Sequence, residues 1–261
     1  MSLSNEQRQD AADALDHAEQ NRAPIDPLSA TYPGLDIDDA YRIQTINIDR
    51  LKARGATVVG YKVGLTAKAM QELLDIDQHD YGVILDVLVE PDGGSVDISR
   101  YCSPLVEIEI AFLLAEPLVG PGLTADDVLA ATCAVAPSIE LIDSRIADWR
   151  ITLEATLADN ASSAGIVLGP WVPLGDHQLA DVSAELVLDG EVVTIGTGAD
   201  VLGHPAEAVA WLANTLASLG THLEAGHVVL PGSCTRAIDV HAGSHIEGRF
   251  TGLGSVSLVF T

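Results

Sequence analysis

Residues 104–114 read PLVEIEIAFLL, and this run predicts a long strand because aliphatic and β-branched residues fill it. Alternation along a strand puts Glu107 and Glu109 on one face, which Ala111 and Leu113 continue, so we expect that face to be partly buried. The alternative is the solvated face of an amphipathic strand. Two buried neighbouring carboxylates repel each other, and one pKa rises unless a cation lies between them.

A third carboxylate, Glu140, interrupts the apolar segment VAPSIELI at 135–142. Buried unpaired charge is costly, so such groups usually pair with one another or bind a metal. Three oxygen ligands with open coordination positions suit Mg²⁺ or Mn²⁺, which retain waters that a bidentate substrate can replace. Glu107, Glu109 and Glu140 therefore form a candidate metal site, with a structural or solvated arrangement as the alternative.

Lys62 is the next candidate, because it stands between valines in the strand-like run VVGYKVG at 58–64, in a chain with few lysines. A lysine near a metal and a 2-oxo acid can bind a carboxylate, or act as an acid–base group once burial lowers its pKa. The alternatives are a lysine that snorkels from a strand end or pairs with a structural carboxylate.

The charge balance restricts the partners. The chain has 261 residues, with 38 acidic against 13 basic side chains and a net charge of −25. Nucleic acid and anionic membrane surfaces repel such a protein, so neither is expected as a partner. Abundant Asp and Glu with almost no Lys suggest adaptation to a salt-rich cytoplasm, where ions screen the repulsion.

The cysteines indicate a reduced intracellular protein. Cys102, Cys133 and Cys234 are odd in number and lack CxxC spacing, so neither a disulfide framework nor a zinc site is expected. The N-terminus lacks a basic start followed by an apolar stretch, and no run approaches the ~18 apolar residues of a membrane span. We therefore expect a cytoplasmic location.

The pattern of the chain predicts one mixed α/β domain over 1–261, with a helical N-terminal part at 1–57 and a β-rich core at 58–261. The helices expected are one capped by Ser4 and Gln7, one from 36–39 to Gly55, a short one from Thr66 to Leu74, one over 124–134 and one over 205–219. We also expect a turn at 91–94, a hairpin over 182–194 turning at Asp189-Gly190, and strands at 228–230 and 256–260.

Three further features of the sequence are weaker structural or functional signals. Asp143 and Arg145 could form a local ion pair, and His204 before Pro205 is expected to be a helix-entry residue. The Gly-led turn at 232–235 could present backbone N–H groups to an anion, although most such turns are only turns.

Several motifs together resemble the 2-oxopent-4-enoate hydratase and 4-oxalocrotonate decarboxylase family, of the fumarylacetoacetate hydrolase superfamily. The likeness runs from about Leu15 to Phe260. Its segments are YKVGLT (61–66), DYG (80–82), VEIEIA (106–111), SIELIDSR (138–145) and ADNAS (158–162).

The resemblance implies a β-rich fold with surrounding helices, a homo-oligomer, and reactions of 2-hydroxydienoates or 2-oxo-enoic acids from aromatic meta-cleavage. It implies association with a pathway decarboxylase or hydratase relative as a further option. The site residues that it implies are Glu107, Glu109 and Glu140 for Mg²⁺ (or Mn²⁺), Lys62 and Asp80 as polar groups over the substrate, and Asn160, Ser162, Ser233 and Thr235 near the substrate.

Hydratase and decarboxylase share an enolate intermediate, so sequence separates the two branches poorly. Segments 91–94 and 158–163 resemble the decarboxylase branch, whereas Met70-Gln71, 80–82 and 232–236 resemble hydratases of longer 2-oxo-diacids, with Arg236 available to a second carboxylate. We favour the hydratase.

A C–C hydrolase of the acylpyruvate type is disfavoured, because those enzymes resemble one another in a His-x-x-Glu pair, which is absent ahead of Glu107. A non-catalytic pathway partner is the remaining alternative. The intact Lys62, Asp80 and glutamates argue against it, since a dead relative has no physical reason to keep buried charge.

Overall fold

Helix α1 begins at a capping box, in which the Ser4 hydroxyl accepts from the Gln7 amide and the Gln7 side chain accepts from the Ser4 amide, as predicted. The computed structural model describes residues 2–66 and 78–261. The α-helices of this part are α1 Asn5–Asn21, α2 Leu28–Thr31, α3 Ile37–Ala53, α4 Ala125–Ala131, α5 Leu153–Ala158 and α6 Pro205–Ser218. Most of the helix predicted from Thr66 to Leu74, and the Met70-Gln71 pair, lie outside the described residues.

The other predicted helix ends follow ordinary capping chemistry. The Asp36 side chain caps α3 by accepting from the Asp39 amide, and Gly55 follows that helix with φ 107°. His204 Nδ1 accepts from the Ala206 amide at the start of α6, so His204 is the predicted entry residue.

Strands make up the rest of the regular structure. They are β1 Val58–Gly64, β2 Asp80–Leu85, β3 Val89–Glu90, β4 Gly94–Val96, β5 Pro104–Leu114, β6 Thr132–Asp143, β7 Ser163–Leu168, β8 Val172–Pro173, β9 Ser183–Leu188, β10 Glu191–Thr197, β11 Val228–Leu230, β12 Ile238–Asp239, β13 His245–Phe250 and β14 Gly254–Phe260. The predicted mixed α/β fold with a β-rich core is confirmed, as is the hairpin of β9 and β10 around Asp189-Gly190.

The strands form two sheets that share one apolar core. The larger sheet has the order β2-β1-β11-β5-β6-β7-β3, with β12 on β5 and β8 on β6, and the smaller has the order β10-β9-β13-β14-β4. Ile108 and Phe112 of β5 pack in the same buried cluster as Leu186, Ile246 and Leu258 of the smaller sheet. One face of β5 therefore belongs to the core, and the other face is available to a site.

The helix predicted over 124–134 is wrong at its end. Helix α4 stops at Ala131, and the chain continues directly into β6 at Thr132. Thr132 pairs with Leu114, and Ala134 pairs with Leu113, so the ladder with β5 competes with the helix for these backbone groups. The β-branched Thr132 suits a strand, and tertiary pairing overrides the local helical pattern.

Candidate active site

Two central strands bring three glutamates together. Strands β5 and β6 are antiparallel, and Glu107 lies directly opposite Glu140, while Glu109 lies two residues further along the same face. One carboxylate oxygen from each of the three glutamates lies within 4.8 Å of the others. The alternation that predicted a shared face for Glu107 and Glu109 therefore also brings Glu140 to that face.

The carboxylate cluster concentrates negative charge in a buried place. Glu109 and Glu140 are fully buried. Among the described residues, Glu109 Oε1 and Glu140 Oε2 have no hydrogen-bond partner, and Glu140 Oε1 meets Lys62 Nζ alone. Burial, reinforced by the charge of Glu140, raises the pKa of Glu107 to about 7. The same two causes raise the pKa of Glu109 well above its ordinary value.

This donor set fits a hard divalent cation. Oxygens bound to one such ion at ~2.0–2.6 Å lie no more than about 4–5 Å apart, which matches the spacing of the three carboxylates. A cation would also satisfy the buried oxygens that have no partner and remove the repulsion between Glu107 and Glu140.

Lys62 compensates part of this charge. Its Nζ lies 3.3 Å from Glu140 Oε1, and the residue is only 4% exposed. Burial by itself would lower the pKa of Lys62, but the carboxylates of Glu140 and Asp80 outweigh it and raise the pKa above its ordinary value. Lys62 therefore holds a positive charge at the cluster.

Asp80 lies beside Lys62 at the start of β2. Its Oδ2 accepts a hydrogen bond of 3.3 Å from Thr156 Oγ1. Its Oδ1 has no hydrogen-bond partner among the described residues, and it lies next to Gly64, where an added Cβ would come within 2.0 Å of it. Burial raises the pKa of Asp80, although the Lys62 charge and the Thr156 hydroxyl oppose that shift.

The turn after β11 holds one of the glutamates. The Gly232 amide donates to Glu109 Oε2 at 2.7 Å. Gly232 has φ 116°, and a Cβ there would lie 1.9 Å from Thr66 Oγ1, so both the backbone conformation and the space require glycine. An amide of the 232–235 turn thus faces a carboxylate of the protein, Glu109.

A cavity of about 230 Å³ opens over the cluster. Its polar lining includes Lys62, Asp80, Glu107, Thr156, Ser162, Ser233 and Thr235. Its apolar lining includes Leu105, Ile142, Trp149, Ile151 and Ala237. Leu105 and Ile142 pair across β5 and β6, so the apolar part continues the face that carries the carboxylates.

Most of the predicted site residues therefore meet at one cavity, with Glu109 and Glu140 buried behind the lining. Asn160 is the exception among them. Its side-chain amide donates to the Val83 carbonyl and accepts from the Val83 amide, so Asn160 is hydrogen-bonded to β2 and does not line the cavity. Arg236 is exposed and does not line the cavity either.

Thr156 and Trp149 line the cavity, but the sequence did not single them out. Thr156 lies on the short helix α5, in a segment whose pattern carries no catalytic signal. Trp149 follows β6 in a loop, where its indole N–H donates to the Ser103 carbonyl. Only the tertiary fold brings either side chain to the glutamates.

The suggested ion pair of Asp143 with Arg145 is wrong. Arg145 instead pairs with Asp159, with 2.5 Å between Nε and Oδ1, and both residues are buried. Asp143 accepts from the backbone amides of Cys102 and Ser103. Both Asp143 oxygens are thus occupied by backbone amides where β6 ends, and Arg145 beyond the strand reaches Asp159, which follows helix α5.

The chain belongs to the fumarylacetoacetate (FAA) hydrolase C-terminal family, whose model matches residues 87–260. Within the described residues, no helix is both long and apolar enough to cross a bilayer.

Its similar proteins include both a hydratase and a decarboxylase. The chain is 41% identical over 260 residues to 2-keto-4-pentenoate hydratase of Paraburkholderia xenovorans, covering 99% of this chain and 96% of the relative. It is 40% identical over 259 residues to 4-oxalocrotonate decarboxylase of Pseudomonas putida, covering 99% and 98%. The solved 4-oxalocrotonate decarboxylase from Pseudomonas putida G7, complexed with magnesium and adipate, superposes with TM-score 0.96 at 38% identity over 99% of each chain. The family predicted from the motifs is confirmed.

Proposed function

We propose that this enzyme is a metal-dependent hydratase, which adds water to a 2-hydroxy-2,4-dienoate of the 2-oxopent-4-enoate type and forms a 4-hydroxy-2-oxo acid in aromatic meta-cleavage catabolism. The observation that carries the proposal is the lining of one cavity. A carboxylate cluster, the cation Lys62 and the acid Asp80 meet there, and the wall beyond them is apolar.

Glu107, Glu109 and Glu140 would hold the metal, which we propose to be Mg²⁺ (or Mn²⁺). The unpartnered carboxylate oxygens support this assignment, as does the magnesium in the solved decarboxylase relative. When bound, such a cation acts as a Lewis acid that polarises a 2-oxo group and stabilises enolate charge. Side chains of the protein would carry out all the proton transfers.

Lys62 would bind the substrate carboxylate. It is the one cation among the described residues that line the cavity, and its charge is secured by Glu140 and Asp80. Because Lys62 is almost fully buried, a charge-assisted hydrogen bond from it to the substrate carboxylate would orient the conjugated chain along the cavity.

Asp80 would carry the protons, because its Oδ1 is unpartnered among the described residues and its pKa is raised by burial. As a carboxylate, Asp80 takes the proton of the 2-hydroxyl group, and as an acid it gives that proton to C5. The substrate becomes a conjugated 2-oxo-3-enoate without net change in protons.

Hydration follows on the same side chains. Water attacks C4, its proton passes to Asp80, and the double bond shifts to the 2-oxygen as an enolate. Asp80 then returns a proton to C3, which leaves a 4-hydroxy-2-oxo acid and restores the enzyme. Each step thus uses a single proton carrier held close to the chain of the substrate.

The apolar wall favours the hydratase over the decarboxylase. 4-Oxalocrotonate has a second carboxylate, to which the described lining of the cavity, with its apolar wall, offers no second cation. A dienoate with a single carboxylate would place only hydrocarbon against the apolar wall, so no second charge would have to be desolvated. The decarboxylase is the second candidate, because that relative is 40% identical over almost its full length.

Product analysis separates the two candidates. Freshly generated 2-hydroxypenta-2,4-dienoate and 4-oxalocrotonate are each incubated with the enzyme and Mg²⁺ at high salt, and products are identified by mass. Gain of water by the dienoate alone supports the hydratase. Loss of CO₂ from oxalocrotonate supports the decarboxylase, and neither reaction, with metal bound, would direct the search to C–C hydrolase substrates or to a partner role.

We also propose that residues 1–261 act as a single catalytic unit, helical over 1–57 and β-rich over 58–261, in a homo-oligomer in a salt-rich cytoplasm. The alignments cover 96% and 98% of the hydratase and decarboxylase relatives, which supports one catalytic unit over these residues. Light scattering coupled to size exclusion tests the oligomer, and co-elution with a pathway decarboxylase tests an association.

A further inference from the structure

The hydroxyl group of Thr156 is buried between the candidate proton carrier and a second hydroxyl. Thr156 is 3% exposed and lines the cavity. Its Oγ1 lies 3.3 Å from Asp80 Oδ2 and 3.4 Å from Ser162 Oγ. Ser162 is likewise buried and lines the cavity. The three side chains therefore form a chain of polar contacts, in which Thr156 is the central member.

The donors in this chain follow from the chemistry of a hydroxyl group. Thr156 has one proton to donate, and an ionised Asp80 can only accept, so that proton lies on the contact to Oδ2. The Thr156 oxygen then accepts from the Ser162 hydroxyl. This order leaves Asp80 Oδ1 as the oxygen without a partner among the described residues.

The backbone that carries Ser162 is held in a sparsely populated conformation. Asn160, Ala161 and Ser162 have φ of 53°, 51° and 56°, three consecutive left-handed residues without a glycine. Such residues cost of the order of 1–3 kcal/mol each and persist where the surrounding structure fixes them. Two contacts fix this turn, the buried Asp159–Arg145 ion pair before it and the half-buried hydrogen bonds of the Asn160 side chain with Val83 within it.

We propose that Thr156, supported by Ser162, is a positioning residue that holds Asp80 Oδ2 and so fixes the orientation of the Asp80 carboxylate at the cavity. This inference rests on the proposed function, because it takes Asp80 as the proton carrier. A carboxylate with one oxygen held by a hydrogen bond keeps one orientation more of the time, so the proton that it carries stays in one place relative to the substrate. Misplacement of a reacting group by about 1 Å can cost about 100-fold in rate.

The test compares three substitutions with a matched control. Thr156→Val removes the hydroxyl and keeps the shape, Thr156→Ser restores the hydroxyl, and Ser162→Ala removes the supporting donor. Thr132→Val is the control, since Thr132 is also a buried threonine whose hydroxyl donates to a backbone carbonyl, that of Val128, away from the cavity. Initial rates with 2-hydroxypenta-2,4-dienoate and saturating Mg²⁺ give kcat and KM for each variant.

We expect Thr156→Val to lower kcat by about 10- to 100-fold with KM changed by less than about threefold, because proton transfer and not binding is impaired. Thr156→Ser should recover kcat to within about threefold of the unsubstituted protein, and Ser162→Ala should lower kcat less than Thr156→Val does. Thr132→Val should leave both constants within about twofold.

Three results would overturn the inference. They are a kcat of Thr156→Val within twofold of the unsubstituted protein, a Thr156→Ser variant as impaired as Thr156→Val, or a loss that lies entirely in KM. If Thr156→Val does not fold, the Thr156→Ser and Ser162→Ala rates decide. An unsubstituted protein that binds Mg²⁺ but does not convert the dienoate would instead refute the proposed function.

Discussion

Lys62 Nζ lies 3.3 Å from Glu140 Oε1, and both side chains are buried. The strands that carry them are not neighbours, because β11 lies between β1 and β5, and β6 follows β5. The ion pair therefore bridges the middle of the larger sheet. It supplies positive charge to a cluster that otherwise contains only carboxylates.

Lys62→Met should abolish measurable turnover and destabilise the metal-free protein. Breaking a buried ion pair typically costs about 3–5 kcal/mol, because the remaining charge is left uncompensated. Urea unfolding without metal measures this change, and Lys52→Met is the control, since Lys52 forms an exposed pair with Asp49 and should change stability little. Equal stability of both variants would contradict the role of Lys62 at the cluster.

Glu107→Gln should weaken Mg²⁺ binding by at least about 100-fold and lower activity with it, because an amide cannot replace the charge of a carboxylate ligand. Isothermal titration with Mg²⁺ gives the affinity directly. Glu116→Gln is the matched control, since Glu116 is exposed and outside the cluster. A Glu107→Gln protein that loses the metal but keeps its activity would refute the metal-dependent mechanism.

Metal affinity should rise as the pH increases from about 6 to about 8. Burial raises the pKa of Glu107 to about 7, so the metal-free cluster holds protons that bound metal must displace. The metal-free protein should lose stability as the pH rises from about 4.5 to about 7, because between the ordinary and the raised pKa of Glu107 the folded state holds a proton that the unfolded state has lost. Titrations in buffers of different ionisation enthalpy would detect the released protons. An affinity independent of pH would contradict the prediction.

Gly232→Ala should weaken metal binding, because the new Cβ would lie 1.9 Å from Thr66 Oγ1 and displace the amide that orients Glu109. Gly55→Ala is the control for backbone strain alone. Gly55 has φ 107°, close to the 116° of Gly232, but a Cβ there would meet nothing within 4 Å. Both variants should lose of the order of 1–3 kcal/mol of stability, and only Gly232→Ala should lose Mg²⁺ affinity. Equal affinities would contradict the assigned role of the turn.

Stability should increase with KCl. The net charge of −25 makes the folded chain repel itself, and the screening length falls from about 10 Å at 0.1 M salt to about 3 Å at 1 M. Thermal unfolding between about 0.1 M and about 2 M KCl measures the effect at fixed Mg²⁺. A Tm that does not change over this range would refute the proposed salt adaptation.

The sequence indicated the glutamates because alternation along one strand is a local property. Glu107 and Glu109 had to share a face, and the apolar surroundings of Glu140 and Lys62 marked both as buried. Thr156 gave no such signal, because its role depends on where helix α5 lies against β2. The hydrogen bonds between the Asn160 side chain and the Val83 backbone also join segments that are distant in sequence, and no local pattern encodes them.

The end of helix α4 was misjudged for a related reason. Residues 132–134 continue a helical pattern locally, but pairing with β5 claims their backbone groups. Arg145 likewise pairs with Asp159, which is distant in sequence, and not with the nearby Asp143. Where a residue has competing partners, the choice depends on the whole fold rather than on a window of sequence.

The direct opposition of Glu107 and Glu140 across β5 and β6 has a consequence for the life of the protein in the cell. Like charges in such a pair push two central strands apart, whereas a shared cation would tie them together. The lifetime of the folded protein in the cell would then depend on the supply of free divalent ions. Under metal starvation the empty protein would open more often and be degraded first, so that the cell would remove the catalyst when it could not be used.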